Sequence, residues 1–361
     1  MPERPMRIGV DARSLLQKEA RGEGKTLLRL YQTLARLRPA WRVHAYGETA
    51  PATPPPAFTV RTCELPGFRW NTWERIALPL MAARDRVDLL HCSSSSAPPL
   101  VGRPFVVTVH DIIPLMFDDG QSQAYALRFE QSLGSALRRA DAIIAVSEST
   151  RRDLVARLGV RPDRIDVIHW GADPAAPAGA RDDALVLAFG GDAPRKNTAG
   201  VLAGFAHARK RVPAARLVLV GLSGAKKRAE FEALAARLGV ADAVRFEGYV
   251  SDADLQRRYG EAAVLFYPSL YEGFGMPVVE AMASGVAVVA SNLTSIPEVV
   301  GDAGVLVDPR DEQAAGEALA AVLGDANRRA QLSARGLERA RELSWEECAR
   351  KTAAVFERVL A

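Results

Sequence analysis

The sequence lacks several features that would place it in a familiar class. No apolar run reaches the roughly 18–20 residues that a membrane-spanning helix needs, and the first residues lack the apolar stretch of a signal peptide. Its three cysteines, Cys63, Cys92 and Cys348, are too far apart for a CxxC metal site or a disulfide framework. No G-x-G-x-x-G follows the first predicted strand, which argues against a dinucleotide-dependent dehydrogenase. A protein of the reducing cytoplasm is therefore expected.

Short apolar runs alternate with amphipathic stretches along all 361 residues, which predicts an α/β architecture. Seven strands are predicted before residue 173 and six after it, many dense in Val and Ile, as in parallel strands buried on both faces. Between the two series lies Asp173–Asp183, whose Pro and Ala content is typical of a linker. The sequence predicts two doubly wound parallel-sheet domains, residues 1–173 and 174–344, and a C-terminal helix at 345–361. Functional residues are expected just after strands, where open α/β sheets bind ligands.

Charge is unevenly distributed. Residues 1–172 hold 24 Lys+Arg and 18 Asp+Glu, a net +6, whereas the rest holds 23 and 25, a net −2. A basic first half suits anionic partners such as phosphates or lipid head groups, and it is also compatible with an ordinary solvated surface. Within it, Trp73, Ile76 and Leu80 form a helical apolar stripe near Arg75 and Arg84. Core packing and peripheral contact of a basic amphipathic helix with a membrane both remain open.

A glycine-bearing loop follows the fourth predicted strand of the second domain. Gly273 and Gly275 remove side-chain bulk, so backbone N–H groups can approach a ligand, and Pro277 stands where a first helical turn would start. A helix start carries partial positive charge and suits a phosphate. Glu272 precedes this helix and Glu280 lies inside it. From the residues alone, these carboxylates are either site residues or a helix cap and a surface side chain.

A second loop follows the first strand of the second domain. Two glycines precede the adjacent cations Arg195 and Lys196, and a helix is predicted to start at Asn197. The planar guanidinium and the compact ammonium would together suit a diphosphate. A basic pair in a loop is equally compatible with solvated surface.

These motifs closely resemble family 4 glycosyltransferases, retaining enzymes of the GT-B fold, in which two Rossmann-like domains face each other across a cleft. The family hallmark is two glutamates with seven residues between them, in E-G-F-G-x-P-x-x-E-A-M-A-x-G, and Glu272–Gly285 matches it nearly letter for letter. The resemblance includes Pro194–Asn197 and the stretch after Gly248, where Tyr249 would border the donor base. It spans roughly residues 185–320.

The resemblance implies roles for the matched residues of the second half. Arg195 and Lys196 would neutralise the donor diphosphate. Glu280 would bind the donor ribose hydroxyls, and Glu272 would hydrogen-bond the transferred sugar. The loop Gly273-Phe274-Gly275 would present backbone N–H groups to the sugar and phosphate.

In the first half, the sequence His110-Asp111-Ile-Ile-Pro resembles the catalytic loop of the same family, especially its bacterial branch that builds surface polysaccharides. The resemblance implies that His110 touches the transferred sugar and shapes the acceptor side, with Asp111 orienting it. A packed structural histidine and an aspartate that caps the next turn are the alternatives. Members of the family carry two adjacent glycines in the loop before the first helix, and these glycines approach the donor diphosphate. The resemblance assigns this role to Gly22 and Gly24, but in this chain Glu23 stands between them.

The implied reaction moves a hexose from a nucleotide-diphosphate sugar, GDP-mannose first, to a hydroxyl of a glycan, lipid-linked or small-molecule acceptor. Cations, loop amides and the helix start would stabilise the departing diphosphate, so neither a cofactor nor a metal is expected. Asp252-Ala-Asp254 resembles the DxD metal motif of other transferases, but its position before a helix favours a capping role. No close carboxylate pair of a retaining hydrolase is visible, which favours attack on the same face.

The resemblance also implies that the C-terminal helix crosses back to the first domain. No nucleic-acid partner is expected. Two alternatives remain open: a non-catalytic nucleotide-sugar-binding or scaffold subunit, and a GT-B sugar-nucleotide epimerase that forms product without an acceptor.

Overall fold

Two parallel-sheet α/β units form the structure, and they confirm the predicted fold class. The computed structural model describes residues 5–17, 22–50, 54–64, 70–117, 119–173 and 181–361. The first unit comprises Met1–Leu115, Gln121–Trp170 and Trp345–Ala361, and the second comprises Met116–Gly120 and Gly171–Ser344. Most of the predicted linker, residues 174–180, lies outside the described residues. The predicted boundary at residue 173 assigns the segment Met116–Gly120 to the first domain. In the structure this five-residue segment belongs to the second unit.

The first unit is built on a seven-stranded parallel sheet of order β3-β2-β1-β4-β5-β6-β7. Its strands are β1 (Arg7–Asp11), β2 (Arg42–Gly47), β3 (Thr59–Thr62), β4 (Leu89–Cys92), β5 (Phe105–Val109), β6 (Ala142–Ala145) and β7 (Ile165–Val167). Its helices are α1 (Glu23–Leu37), α2 (Trp70–Arg84), α3 (Ile113–Met116, at the unit boundary), α4 (Gln123–Arg139), α5 (Glu148–Leu158) and the last helix of the chain, α13 (Trp345–Leu360).

Helices cover both faces of this sheet, because alternate residues of its strands point to opposite sides. Leu90 of β4 shares a core cluster with Trp73 of α2 and Leu137 of α4. The next residue, His91, points to the other face, where its ring contacts Tyr31 of α1 and Phe356 of α13. The two faces are therefore covered by different helix pairs, α2 with α4 and α1 with α13.

The second unit has a six-stranded parallel sheet of order β10-β9-β8-β11-β12-β13. Its strands are β8 (Asp182–Phe189), β9 (Arg216–Val220), β10 (Val244–Glu247), β11 (Ala262–Tyr267), β12 (Ala287–Ser291) and β13 (Val305–Val307). Its helices are α6 (Thr198–Arg211), α7 (Ala225–Arg237), α8 (Asp252–Glu261), α9 (Met276–Ala283), α10 (Ile296–Val300), α11 (Glu312–Leu323) and α12 (Ala326–Glu342). No described helix is long and apolar enough to cross a membrane.

In both sheets the strand order reverses once, at a topological switch point. In the second unit, successive strands run outward from β8 to β10 on one side and from β11 to β13 on the other. The corresponding reversal in the first unit lies between β1 and β4. Connections leave a doubly wound sheet in opposite directions at this point, so a crevice opens at the carboxyl ends of the two central strands. These two edges are where chemistry is expected.

Candidate active site

The switch point of the second unit brings together the two loops that the sequence singled out. Strand β8 ends at Phe189 and leads into a single 3-10 turn, Pro194–Lys196, while β11 ends at Tyr267 and leads into the loop before α9. Because β8 and β11 are hydrogen-bonded neighbours, both loops emerge at the same edge of the sheet.

Asn197 fixes the cationic loop in place. It adopts a left-handed conformation (φ 52°) at the start of α6, which asparagine tolerates better than most residues. Its side-chain amide donates to the carbonyl oxygens of Pro268 and Pro309, each at 2.9 Å. The backbone N–H of Leu270 donates to the carbonyl of Arg195 at 2.8 Å. The loop that carries the two cations is therefore fixed by contacts with two other loops, the one after β11 and the one after β13.

Arg195 and Lys196 converge on the buried carboxylate of Glu272. Lys196 Nζ lies 2.8 Å from Glu272 Oε1, and Arg195 Nη1 lies 3.5 Å from Oε2. The hydroxyl of Tyr267 donates to Glu272 Oε1 at 2.7 Å. Burial, and then the neighbouring Glu272 charge, raise the pKa of Tyr267 well above its usual value, so its proton remains on oxygen. One carboxylate thus organises two cations and a phenol at the end of the sheet.

Asp119 is a member of this cluster that sequence reasoning missed. Its carboxylate Oδ2 accepts a hydrogen bond from Arg195 Nε at 2.9 Å, and Oδ1 lies 3.4 Å from the Arg195 backbone nitrogen. Both residues belong to the second unit, because the segment Met116–Gly120 clusters with it. No motif signals this contact, since 76 positions separate the partners. The cluster therefore contains two cations and two carboxylates.

The two residues before α10 hold the loop before α9 by hydrogen bonds. Thr294 Oγ1 accepts from the Glu272 N–H at 3.1 Å, and Ser295 Oγ lies 2.9 Å from the carbonyl oxygens of both Glu272 and Phe274. Gly275 caps α9 with φ 103°, and a Cβ there would lie 2.5 Å from Ile296 Cδ1. Position 275 therefore requires glycine for backbone and packing reasons, whatever ligand the loop meets.

Glu280 and Tyr249 lie elsewhere in the same unit. Glu280 is partly buried in α9, and its Oε2 accepts from the hydroxyl of buried Tyr259 at 2.8 Å. Burial, followed by the Glu280 charge, raises the pKa of Tyr259 well above its usual value. Tyr249 is exposed just beyond the carboxyl end of β10. Gly273 lies between Glu272 and Phe274 in the loop before α9.

In the first unit, His110 follows β5 and is held on two sides. Its Nε2 lies 2.7 Å from the carbonyl oxygen of Ser93, and its ring stacks on Trp170 at a centroid distance of 5.6 Å. A carbonyl can only accept, so Nε2 carries the proton. In the neutral ring the lone pair is therefore on Nδ1, which can accept a hydrogen bond from a hydroxyl.

Asp111 makes the contact expected of a capping residue. Its Oδ1 accepts from the backbone N–H of Ile113 at 2.9 Å, at the start of the short helix α3. The capping alternative for this residue therefore has a structural basis.

The two glycines near the start of α1 differ in their surroundings. Gly22 has a positive φ of 37°, and a Cβ added to it would have no neighbour within 4 Å, whereas a Cβ on Gly24 would lie only 2.3 Å from the Ser14 carbonyl oxygen. Gly24 thus allows α1 to pack closely on the chain leaving β1. This requirement exists independently of any diphosphate.

A buried ion cluster fills the switch point of the first unit. Arg13 Nη2 lies 2.6 Å from Asp11 Oδ2 and 2.7 Å from Glu74 Oε2, and all three side chains are buried. Ser96 Oγ donates to Glu74 at 2.7 Å, and Ser93 Oγ donates to the Asp11 carbonyl at 2.7 Å. The cluster joins β1, α2 and the chain after β4, which also supplies the carbonyl that holds His110.

The DxD-like sequence lies at a helix start, but the capping residue is its neighbour. Ser251 Oγ accepts from the Asp254 N–H at 3.1 Å, and α8 begins at Asp252. The prediction that this sequence belongs to a helix start is confirmed, while the cap itself is Ser251.

Comparison with known proteins matches both halves of the chain. Residues 20–176 match the family model described as Glycosyltransferase Family 4, and residues 173–339 match the model described as Glycosyl transferases group 1. Among solved structures, sucrose-phosphate synthase from Thermosynechococcus elongatus shares the fold with a TM-score of 0.81 and 22% identity, covering 98% of this chain and 99% of that one.

Two relatives are similar over most of their own length. The O-antigen chain mannosyltransferase B of Escherichia coli is 33% identical over 75% of this chain and 74% of its own. The MMP alpha-(1->4)-mannosyltransferase of Mycolicibacterium hassiacum is 30% identical over 80% and 74%. These matches, together with the paired family models, establish that the chain belongs to the family 4 glycosyltransferases.

Proposed function

We propose that this glycosyltransferase moves mannose from GDP-mannose to a hydroxyl of a glycan, lipid-linked or small-molecule acceptor, with retention of configuration at the anomeric carbon. The observation that carries the proposal is the convergence of Arg195, Lys196 and Glu272 at the switch point of the second unit. The mannosyltransferase names of the two similar relatives support the choice of sugar.

The charge arrangement suits a nucleoside diphosphate as leaving group. As the bond between the anomeric carbon and the phosphate oxygen breaks, negative charge grows on the diphosphate. Arg195 and Lys196 are partly exposed, and Glu272 and Tyr267 hold Lys196 from one side. Positive groups fixed before the reaction stabilise developing charge without reorganising, which is the largest contribution in many enzymes. The positive end of α9 adds to this field.

His110 completes the proposed chemistry on the acceptor side. With its Nε2 proton donated to the Ser93 carbonyl, Nδ1 is the atom that accepts a hydrogen bond from a sugar hydroxyl. The departing phosphate, rather than a carboxylate of the protein, takes the acceptor proton during attack on the same face. Glu272 and the α9 carboxylate Glu280 bind hydroxyls of the donor sugar and of its ribose.

In other transferases a divalent metal stabilises the negative charge of the leaving diphosphate. Here Arg195 and Lys196 would supply that stabilisation, so we propose a metal-independent reaction. Turnover in excess EDTA should equal turnover in Mg²⁺. A strict requirement for added metal would contradict this part of the proposal and would leave the donor assignment open to its own test.

A donor screen tests the proposal directly. Thermal unfolding is measured with GDP-, UDP-, dTDP- and ADP-sugars, and a donor present at 100 times its dissociation constant should add about 2.7 kcal/mol of stability. We expect GDP-mannose to stabilise the protein and the Arg195→Ala variant to lose that response. Stabilisation by a different nucleotide sugar would replace the donor assignment, and stabilisation by none would contradict donor binding at this site.

Stereochemistry and turnover are then followed together. The α-linked donor should give an α-linked product by NMR, and product should appear only when an acceptor is present. A β-linked product would contradict retention. Product formed without an acceptor would indicate an epimerase, and donor binding without turnover by any acceptor would indicate a scaffold subunit.

A further inference from the structure

The two glutamates of the family hallmark each accept a hydrogen bond from a buried phenol. Tyr259 of α8 donates to Glu280 Oε2 at 2.8 Å, and Tyr267 at the end of β11 donates to Glu272 Oε1 at 2.7 Å. Both tyrosine side chains are buried. The two carboxylates therefore have the same kind of partner, although the tyrosines come from different elements of the second unit.

The ring of Tyr259 is held by its neighbours. Phe189, at the end of β8, contacts both tyrosine rings, with centroid distances of 6.1 Å to Tyr259 and 6.2 Å to Tyr267. Aromatic pairs at such distances pack favourably. The backbone is held as well, because Arg181 donates to the carbonyl oxygens of Tyr259 at 3.2 Å and Ala262 at 2.8 Å. The phenol of Tyr259 thus has a defined position from which to orient a partner.

The hydroxyl of Tyr259 donates to Glu280 rather than to its other neighbour. It also lies 3.4 Å from the carbonyl oxygen of Pro277, and the contact with Glu280 at 2.8 Å is the shorter and stronger of the two. An ionised carboxylate has about four acceptor positions on its two oxygens, so it can accept from a phenol and from sugar hydroxyls at the same time. One fixed donor therefore orients the carboxylate without preventing it from binding a ligand.

We propose that Tyr259 is a positioning residue that sets the preference of the donor site for ribose over deoxyribose, by orienting the carboxylate of Glu280. The inference rests on the proposed function, in which Glu280 binds the ribose hydroxyls of the donor. A site built to bind a hydroxyl rejects an analogue that lacks it, because the fixed acceptor is then left without its partner. Without the phenol the carboxylate can turn away, so a missing hydroxyl costs less.

Calorimetric titration of the full chain with GDP and its 2′-deoxy and 3′-deoxy analogues tests the proposal without an acceptor. In the original protein, the larger of the two deoxy penalties should be about 10- to 100-fold in Kd, the range for a hydrogen bond to a charged group. Tyr259→Phe keeps the ring and removes only the hydroxyl. We expect this variant to bind GDP more weakly and to reduce the penalty to about 3-fold or less.

Two further tyrosine variants provide matched controls. Tyr267→Phe removes the same group from a ring that also contacts Phe189, but its partner is Glu272, so the deoxy penalty should stay as in the original protein. Tyr46→Phe removes a buried phenol that donates to Asp85 in the first unit at 3.2 Å, and it should change neither the affinity for GDP nor the penalty. Thermal unfolding shows that each variant is folded.

A double-mutant cycle asks whether Tyr259 acts through Glu280. Glu280→Ala should remove the deoxy penalty. Adding Tyr259→Phe to it should change the Kd for GDP by less than about 2-fold, because the two residues contribute to one interaction. A purely structural role of Tyr259 would instead give effects that multiply, and that result would overturn the proposal.

The titrations also separate this inference from the proposed function. A full deoxy penalty in Tyr259→Phe, or no penalty in an original protein that binds GDP, would overturn the inference and leave nucleotide binding intact. A preference for dTDP, whose sugar is deoxyribose, would overturn it as well. Failure of the original protein to bind GDP, UDP, dTDP or ADP would contradict the proposed function itself.

Discussion

The two switch points of this enzyme have the same topology and opposite contents. In the first unit, Arg13 is buried between Asp11 and Glu74, and its charge is satisfied within the fold. In the second unit, Arg195 and Lys196 are partly exposed beside Glu272 and Asp119. Each switch point therefore has an arginine between two carboxylates. Arg13 is buried and cannot reach a ligand, whereas Arg195 is partly exposed and could bind an anion. Burial, rather than the kind of residue, distinguishes the ion cluster of the first unit from the proposed donor site of the second.

The largest difference should appear in catalysis. Glu272→Gln keeps the shape of the side chain but removes the charge that positions Lys196 and accepts from Tyr267, so we expect kcat/KM to fall about 10²- to 10³-fold, the scale of losing one preorganised electrostatic contact. Glu317→Gln, an exposed change in the same unit, is the control. Initial rates with donor and acceptor provide the measurement, and an active Glu272→Gln enzyme would remove this residue from the site.

For stability, unlike catalysis, changes in the ion cluster of the first unit should have the larger effect. Arg13→Ala strands two buried carboxylates and should cost the first unit roughly 3–5 kcal/mol. Arg195→Ala breaks a partly exposed pair and should cost about 1 kcal/mol or less. All five tryptophans belong to the first unit, so their fluorescence in denaturant reports that unit separately, and circular dichroism follows the whole chain. Equal costs for the two changes would mean that the clusters do not differ as described.

Acid should weaken the first unit through His91. This buried ring is hydrogen-bonded to Tyr31 and Thr108, and burial, followed by the nearby His110, lowers its pKa to about 3. An unfolded chain takes up this proton near pH 6.5 and the folded unit does not, so stability present above that pH is lost as pH falls toward 3. The expected slope is up to about 1.4 kcal/mol per pH unit. His91→Gln should flatten it in a tryptophan-fluorescence titration, and an unchanged slope would assign the effect to other groups.

The smallest expected effect comes from Asp119, the carboxylate paired with Arg195 in the second unit. At the proposed donor site, Asp119 would compete with the diphosphate for Arg195, so Asp119→Asn should tighten binding of a nucleoside diphosphate about 2- to 5-fold, as expected for an ion pair worth about 0.5–1 kcal/mol. Isothermal titration at two salt concentrations measures this change. Weaker binding in the variant would show instead that Asp119 holds Arg195 in its binding position.

Much of the fold was readable because parallel strands leave a strong signal. All thirteen predicted strands are present. The helices α3 and α10 were missed because four or five residues are too few to show a helical period. The membership of Met116–Gly120 in the second unit was also hidden, since it depends on long-range packing and not on local pattern.

The site was only partly readable for a related reason. The motif located Arg195, Lys196 and Glu272, but the contacts that orient them involve Tyr267 and Asp119, which carry no signal at fixed spacing. Likewise, a donor-binding role was inferred for Gly24 from resemblance, while the structure adds a steric need set by Ser14. Sequence spacing reveals neighbours along the chain, and tertiary packing decides which partners they meet.

Through Asn197, the turn after β13 helps to position Arg195 and Lys196. Its amide reaches the carbonyl oxygens of both Pro268 and Pro309, so the length of that turn is part of the geometry of the Arg195 loop. An inserted residue there would shift the Arg195 loop, which lies more than 100 positions away in the sequence. The exposed junction between α11 and α12 at Gly324–Asp325 has no such tie to the cations and is the better place to attach a fluorophore or an affinity tag.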